Sequence, residues 1–178
     1  MTIYDQKNHD REEPDAARPP VATVGAMDIS IDDFVRFCGR TIGGMHRALD
    51  RLDDTTVNTA PDLTGANTPF QLTTHALAAT EWWTAHIVCG RPSDRIRADE
   101  FASSGTVGEL HRRADDLVAL LHDLAPELRA ATDLAHPAHT RVPPDGDWTV
   151  GAALLHAYEE LAQHLGHLEI TVDIVTTR

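Results

Sequence analysis

The sequence predicts an all-α fold, a four-helix bundle that follows an N-terminal tail. Four long segments repeat apolar residues at every third or fourth position, which is typical of amphipathic helices. Aromatic residues make up only 5% of the chain, and no segment alternates apolar and polar residues as a strand would. The apolar content of 42% then comes mostly from aliphatic residues that pack helix against helix, and 178 residues fit one domain.

Residues 1–27 are polar, charged and proline-containing, and we interpret them as a disordered or extended tail before a bundle formed by residues 28–178. The first helix is expected to begin after Asp28 or Ser30, since either side chain can cap it. Gly43-Gly44 in its middle costs about 2 kcal/mol of helix propensity in all, and small residues there can let a neighbouring helix approach closely. The apolar face of this helix comprises Phe34, Cys38, Ile42, Met45, Leu49 and Leu52.

The other three helices have recognisable starts. The second is expected to begin at Thr68-Pro69, because proline is favoured at the first helical position, and to run to about Val88. A third helix opens at Gly105-Thr106 after a charged loop. The last helix follows Asp147 or Thr149, either of which can cap it, and continues to the end of the sequence.

The last helix carries a stripe of four side chains that could bind a metal ion. With about 100° of rotation per residue, Glu160 lies about 40°, His164 about 80° and His167 about 20° from His156. Leucines flank the stripe, so we expect it to be partly buried. Three imidazoles and a carboxylate in that position need a partner, and a divalent metal ion is one. Helical spacing alone does not choose among the four.

His75 is the natural ligand from a second helix, because it lies mid-helix among apolar residues. A histidine from one helix and a Glu/His pair one turn apart on another can converge inside a bundle. Three protein ligands leave a coordination position open, which is typical of catalytic zinc sites. The simpler explanation for any one of the 11 histidines is a hydrogen bond or solvent exposure. Among the remaining histidines, His46 is the one that could face the same cavity.

Charge and motifs exclude several functions. A formal net charge of −13 disfavours nucleic acids and anionic membranes as partners. No HExxH motif is present, which disfavours a zincin protease. Cys38 and Cys89 lack CxxC spacing and are expected to be reduced and buried. We find no apolar signal core and no stretch of transmembrane length, so the expected location is the cytoplasm.

Two segments resemble a known family. LLHAYEELAQHLGHLEI is similar to the end of DinB-like superfamily proteins, in the branch of mycothiol-dependent maleylpyruvate isomerases and mycothiol S-transferases, and NTPFQLTTHALAATEWWTAHIVCGRP is similar to that branch's second helix. The resemblance implies an up-down-down-up bundle. It also selects His75, Glu160 and His164 as metal ligands. His156 and His167 are left as catalytic candidates that shuttle protons or orient ligands, or else as packing behind the ligands.

The resemblance implies an enzyme that uses a divalent metal ion, with zinc favoured over nickel or iron. The ion would bind mycothiol or a similar low-molecular-weight thiol as thiolate, which attacks a small electrophilic molecule in an S-transfer or isomerisation. Arg91, Arg95 or Arg97 could meet an anionic substrate. Two alternatives stay open, a non-catalytic metal-binding protein for stress or sequestration and a metal-free interaction bundle. A homodimer formed through an outer helix face is a further expectation.

Overall fold

The computed structural model describes residues 29–131 and 148–177, and this part of the chain is helical without a β-strand. The all-α prediction is therefore confirmed for it, while the predicted tail and the candidate caps Asp28 and Asp147 lie outside the described residues. The elements in order are α1 (Ile31–Leu49), a 3-10 turn (Thr56–Asn58), α2 (Pro69–Glu81), a π-helix (Trp82–Val88), α3 (Arg97–Glu100), α4 (Val107–Ala130) and α5 (Val150–Thr176).

Side-chain caps determine where the four long helices begin. The Ser30 hydroxyl accepts a hydrogen bond from the Asp33 amide at 3.0 Å, which starts α1. Thr68 and Thr106 each form a reciprocal capping box at the start of α2 and α4, and Thr149 caps α5. Such a cap stabilises a helix by about 1 kcal/mol. The helix starts expected from the sequence are therefore present wherever the structure describes them.

The first two long helices pack mainly against the last two. Helix α5 packs against both α1 and α2, and α4 packs against the same two helices. Since α1 and α2 each have α4 and α5 as main neighbours, a site between α2 and α5 joins distant parts of the chain. The predicted up-down-down-up directions stay a prediction. Within the described residues, no helix combines the length and apolarity needed to cross a bilayer. The largest fully buried core side chains include Ile42, Met45, Leu121, Leu124, Leu128, Leu161 and Leu168.

Helices α1 and α5 approach closely at one of the two adjacent glycines. A Cβ atom on Gly44 would lie 2.6 Å from a methyl carbon of Leu165 on α5. A Cβ on Gly43 would meet only the end of Arg47, at 3.7 Å. The close approach predicted from the glycine pair is therefore made by Gly44 alone.

Helix α2 does not end at Glu81 but widens into the π-helix. The amide of Cys89 donates to the carbonyl of Thr84, five residues earlier, and the amide of Arg91 donates to Ala85. The prediction that this helix extends to about Val88 agrees with its length but did not include the change of register. Stretches of π-helix are rare and often lie at functional sites, and this one begins with Trp82-Trp83.

Candidate metal site

Helix α2 buries His75 in the interior, where its imidazole is 4% exposed. A buried imidazole needs a partner for each ring nitrogen, because unpaired burial is costly. Nδ1 lies 2.6 Å from Oε2 of Glu100. Nε2 lies 3.4 Å from Oε2 of Glu160 on α5. The ring is thus held from behind by one carboxylate while its other nitrogen faces a second.

Glu100, the last residue of α3, is buried behind His75 and held there by Arg95. The guanidinium donates to its carboxylate from Nε at 2.6 Å and from Nη2 at 3.1 Å. Burial raises the pKa of Glu100, but hydrogen bonds from Arg95 and His75 outweigh burial and leave the pKa below its usual value. An ionised carboxylate only accepts hydrogen bonds. The Nδ1 of His75 therefore donates to Glu100, and its Nε2 faces Glu160.

Glu100 was not among the site residues predicted from the sequence. It lies in a short helix inside a charged loop, where no periodicity indicates which side chain points inward. The one available signal is chemical, because a buried histidine that binds metal usually donates its second nitrogen to a carboxylate or carbonyl. That rule predicts that a partner exists but not which of the many acidic residues it is.

Glu160 and His164, one turn apart on α5, bring the remaining donor atoms to His75. Nε2 of His164 lies 3.6 Å from Oε2 of Glu160. One donor atom from each of the three residues falls within 4.8 Å of the other two. The donor distances of 3.4 and 3.6 Å are long for hydrogen bonds. They are close to the spacing of about 3.4 Å between two ligand atoms on a tetrahedral zinc ion.

The His164 imidazole fits a ligand role electrostatically. Burial lowers its pKa, and the neighbouring His75 lowers it further, against an opposing effect of Glu160. A neutral imidazole is the form that binds metal ions. Its Nδ1 is buried and has no hydrogen-bond partner among the described residues. Such an unsatisfied ring is unusual in a folded protein, and a cation held at the other nitrogen would offset part of its cost.

A cleft of about 370 Å³ opens beside these donor atoms. That volume fits a small molecule. Its wall combines aromatic faces with cationic and hydrogen-bonding groups. Trp82 and Trp83 are the first two residues of the π-helix, and both line this wall. The lining consists of His75, Ala79, Trp82, Trp83, Arg95, Arg97, His156 and Glu160.

His156 lines this cleft. Its Nε2 lies 3.6 Å from Oε1 of Glu160, and its Nδ1 lies 3.0 Å from Oε2 of Glu159. The ring packs against Trp83 and Trp148, with centroid distances of 4.7 and 5.3 Å. His156 is therefore the titratable side chain best placed to touch a molecule beside Glu160, and a catalytic role for it stays a prediction.

His167 occupies a different environment. It is exposed and outside the cleft lining, and its ring centroid is 6.2 Å from that of His164. The stripe of four residues is therefore divided by the tertiary structure. Glu160 and His164 meet His75, His156 faces the cleft, and His167 lies on the outer side. Its predicted catalytic role is likewise untested.

The remaining candidates are three arginines and His46, and only some of them lie in the cleft. Arg95 and Arg97 line the cleft, as a site for an anionic substrate requires. Arg91 instead pairs with two carboxylates of α4 and is not part of the lining. His46, which could have faced the same cavity, packs against α4. The suggestion that it joins this site is therefore wrong.

Comparison with known proteins bears on the whole arrangement. Searches of curated proteins and of solved structures returned no match. The family model of the DinB superfamily matches residues 40–168, which is more than half of the chain and includes His75, Glu160 and His164. The mycothiol-linked branch is not distinguished by this match. The chain belongs to the DinB superfamily.

Proposed function

We propose that this protein is a divalent-metal-dependent enzyme that uses mycothiol or a similar small thiol. The thiol is either transferred to a small electrophilic molecule or assists the isomerisation of that molecule. One observation carries the proposal: three donor atoms lie at the spacing of metal ligands, and two of their residues, His75 and Glu160, line an open cleft. Three protein ligands leave a position for an exogenous ligand. Membership of a generally metal-binding superfamily supports the same interpretation.

In this proposal His75, Glu160 and His164 hold the ion. Imidazole and carboxylate donors suit zinc, with nickel and iron as alternatives. When bound, the ion lowers the pKa of a thiol ligand and so supplies a thiolate at neutral pH. The buried Glu100 fixes the orientation of the His75 ring, so that Nε2 is directed to the ligand position before any ion arrives.

The thiol has to come from outside the protein. Burial raises the pKa of Cys38 to about 12. Burial, with a contribution from the charge of Glu127, raises the pKa of Cys89 to about 11. Both thiols are therefore protonated at neutral pH, and neither lines the cleft. A nucleophilic sulfur at this site would be that of a bound small molecule.

The cleft wall suits a compact electrophile with an anionic group. The faces of Trp82 and Trp83 offer apolar contact on one side. Arg95 is largely neutralised by Glu100, whereas Arg97 has no carboxylate partner among the described residues and lies over the Phe101 ring. Arg97 would bind the anionic group. In this proposal His156, whose Nε2 lies 3.6 Å from Oε1 of Glu160, would accept the thiol proton or return it to the product.

The experiment uses protein purified without a histidine tag and loaded with zinc. Mycothiol consumption is followed with several alkylating electrophiles, and the conjugate is identified by mass spectrometry. We expect zinc-dependent consumption that falls at least about a hundredfold in Glu160→Gln. Glu169→Gln, an exposed substitution on the same helix, is the matched control and should retain the activity.

Each negative outcome has a distinct meaning. Protein that binds zinc yet consumes no mycothiol with any electrophile would contradict the enzyme proposal and favour the metal-binding stress or sequestration role. Protein that retains no metal after dialysis would contradict both and favour an interaction bundle. Unchanged turnover in Glu160→Gln would remove Glu160 from the ligand set.

A further inference from the structure

A second histidine cluster lies between α1 and α4, apart from the candidate metal site. The rings of His46 and His111 are nearly parallel, with a centroid distance of 4.7 Å and an interplanar angle of 14°. Their Nδ1 atoms are in direct contact. Nε2 of His46 lies 3.2 Å from Oδ1 of Asp115, and Nε2 of His111 lies 3.3 Å from Oδ1 of Asp50.

The cluster has an approximate two-fold pattern. His46 precedes Asp50 by four residues at the end of α1, and His111 precedes Asp115 by four residues on α4. Each histidine pairs with the carboxylate of the opposite segment. Both imidazoles are 26% exposed, and the two carboxylates are mostly exposed, so solvent and ions reach the cluster.

The hydrogen-bonding chemistry of this pair suits a cation between the two rings. A carboxylate only accepts hydrogen bonds, so each Nε2 that faces an aspartate carries the ring proton. When both imidazoles are neutral, each has a single N–H, and the two Nδ1 atoms that meet are then unprotonated. Two lone pairs that face each other repel, unless a proton or a metal ion lies between them. Aspartate behind Nε2 is also the usual support of a metal-bound histidine.

We propose that Nδ1 of His46 and Nδ1 of His111 bind a second divalent transition-metal ion of the zinc class. Asp50 and Asp115 hold the two rings and balance the charge of the ion, and water completes the coordination. A tetrahedral ion separates two imidazole nitrogens by about 3.3 Å, so the rings move apart slightly on binding. With two protein ligands on the surface, this site binds more weakly than the site at His75.

Zinc stoichiometry tests the proposal directly. Tag-free His75→Ala protein lacks the stronger site, and equilibrium dialysis with elemental analysis should still find one zinc ion per chain. Adding His46→Ala and His111→Ala should remove that ion, whereas adding His122→Ala, an exposed histidine of α4, should not. If His75→Ala fails to fold, wild-type protein should bind two zinc ions and the His46→Ala/His111→Ala protein one.

A gentler pair of substitutions checks the supporting carboxylates. Asp50→Asn with Asp115→Asn should weaken zinc binding at this cluster about 10- to 100-fold, with unchanged far-ultraviolet circular dichroism. The proposal is overturned if removing both histidines leaves the zinc stoichiometry unchanged. It is also overturned if nuclear magnetic resonance of the ring nitrogens shows a shared proton that zinc does not displace. Neither result affects the proposed enzyme function, which depends on other residues.

Discussion

Two helix–helix interfaces, the α2–α5 seam and the α1–α4 seam, each bring histidines and carboxylates together, but they differ in burial. Between α2 and α5, His75 is 4% exposed and its supporting Glu100 is 6% exposed. Between α1 and α4, both histidines are 26% exposed and their supporting aspartates are 66% and 75% exposed. The sequence spacing is similar, since each cluster contains acid and histidine side chains one helical turn apart. Burial, rather than residue type, therefore separates the two.

The supporting hydrogen bonds show the consequence. The carboxylate behind His75 is 2.6 Å from Nδ1 and is itself held by Arg95. The carboxylates behind His46 and His111 are 3.2 and 3.3 Å from Nε2, and within residues 29–131 and 148–177 no arginine pairs with either. A preorganised ligand loses less freedom when an ion binds. The α2–α5 seam should thus bind an ion tightly, and the α1–α4 seam more weakly.

The largest expected effect is loss of the tight site. His75→Ala should lower zinc affinity there at least about a hundredfold, because one of three ligands is removed. His122→Ala, on the exposed face of α4, should leave the affinity unchanged. Competition with a chromogenic chelator measures both. Equal zinc affinity in the two variants would show that the ligands lie elsewhere. The α2–α5 seam would then not be the tighter zinc site.

Metal removal should produce the next largest effect, on stability. At free zinc a hundred times the dissociation constant of the tight site, binding stabilises the fold by about 2.7 kcal/mol. For a chain of this size that raises the melting temperature by about 5–10 °C. A chelator should reverse the gain, and Glu160→Gln should lack it. A gain of similar size in Glu160→Gln would assign the stabilisation to the α1–α4 seam instead.

A third test changes the carboxylate that holds His75 in place rather than one of the three metal-binding residues. Glu100→Gln keeps the shape of the side chain but removes the charge that orients His75 and neutralises Arg95. We expect zinc affinity at the tight site to fall about 10- to 100-fold. Asp99→Asn, an exposed neighbour in the same short helix, is the matched control. Identical affinity in both variants would show that the charge of Glu100 does not contribute to the difference between the seams.

The smallest effect concerns the helix spacing on which the tight site depends. Gly44→Ala forces Leu165 away and should destabilise the fold by about 1–3 kcal/mol. Because Leu165 follows His164, zinc binding at the tight site should weaken, while the cluster at His46 and His111 is unaffected. Gly43→Ala has space and should stabilise the fold by up to about 1 kcal/mol. Chemical denaturation measures both, and equal effects would contradict the assignment of the close approach to Gly44.

The sequence by itself determined the fold class and the helix starts, and it predicted a stripe of His156, Glu160, His164 and His167 on the last helix with His75 as a partner. These features depend on local periodicity, on capping chemistry and on a short-range spacing along one helix. The family resemblance, now supported at superfamily level by the match to residues 40–168, narrowed the stripe on α5. Whether the three residues hold a metal ion is still a prediction.

Only the tertiary structure decided which distant side chains meet. Glu100 supports His75 from 25 residues away, and His111 meets His46 from 65 residues away. The choice of Gly44 over Gly43 likewise depends on where α5 crosses α1. Helical periodicity shows which face of a helix is buried, but the neighbour on that face is set by the packing of the whole chain. For that reason the sequence predicted one cluster of histidines, and the fold revealed two.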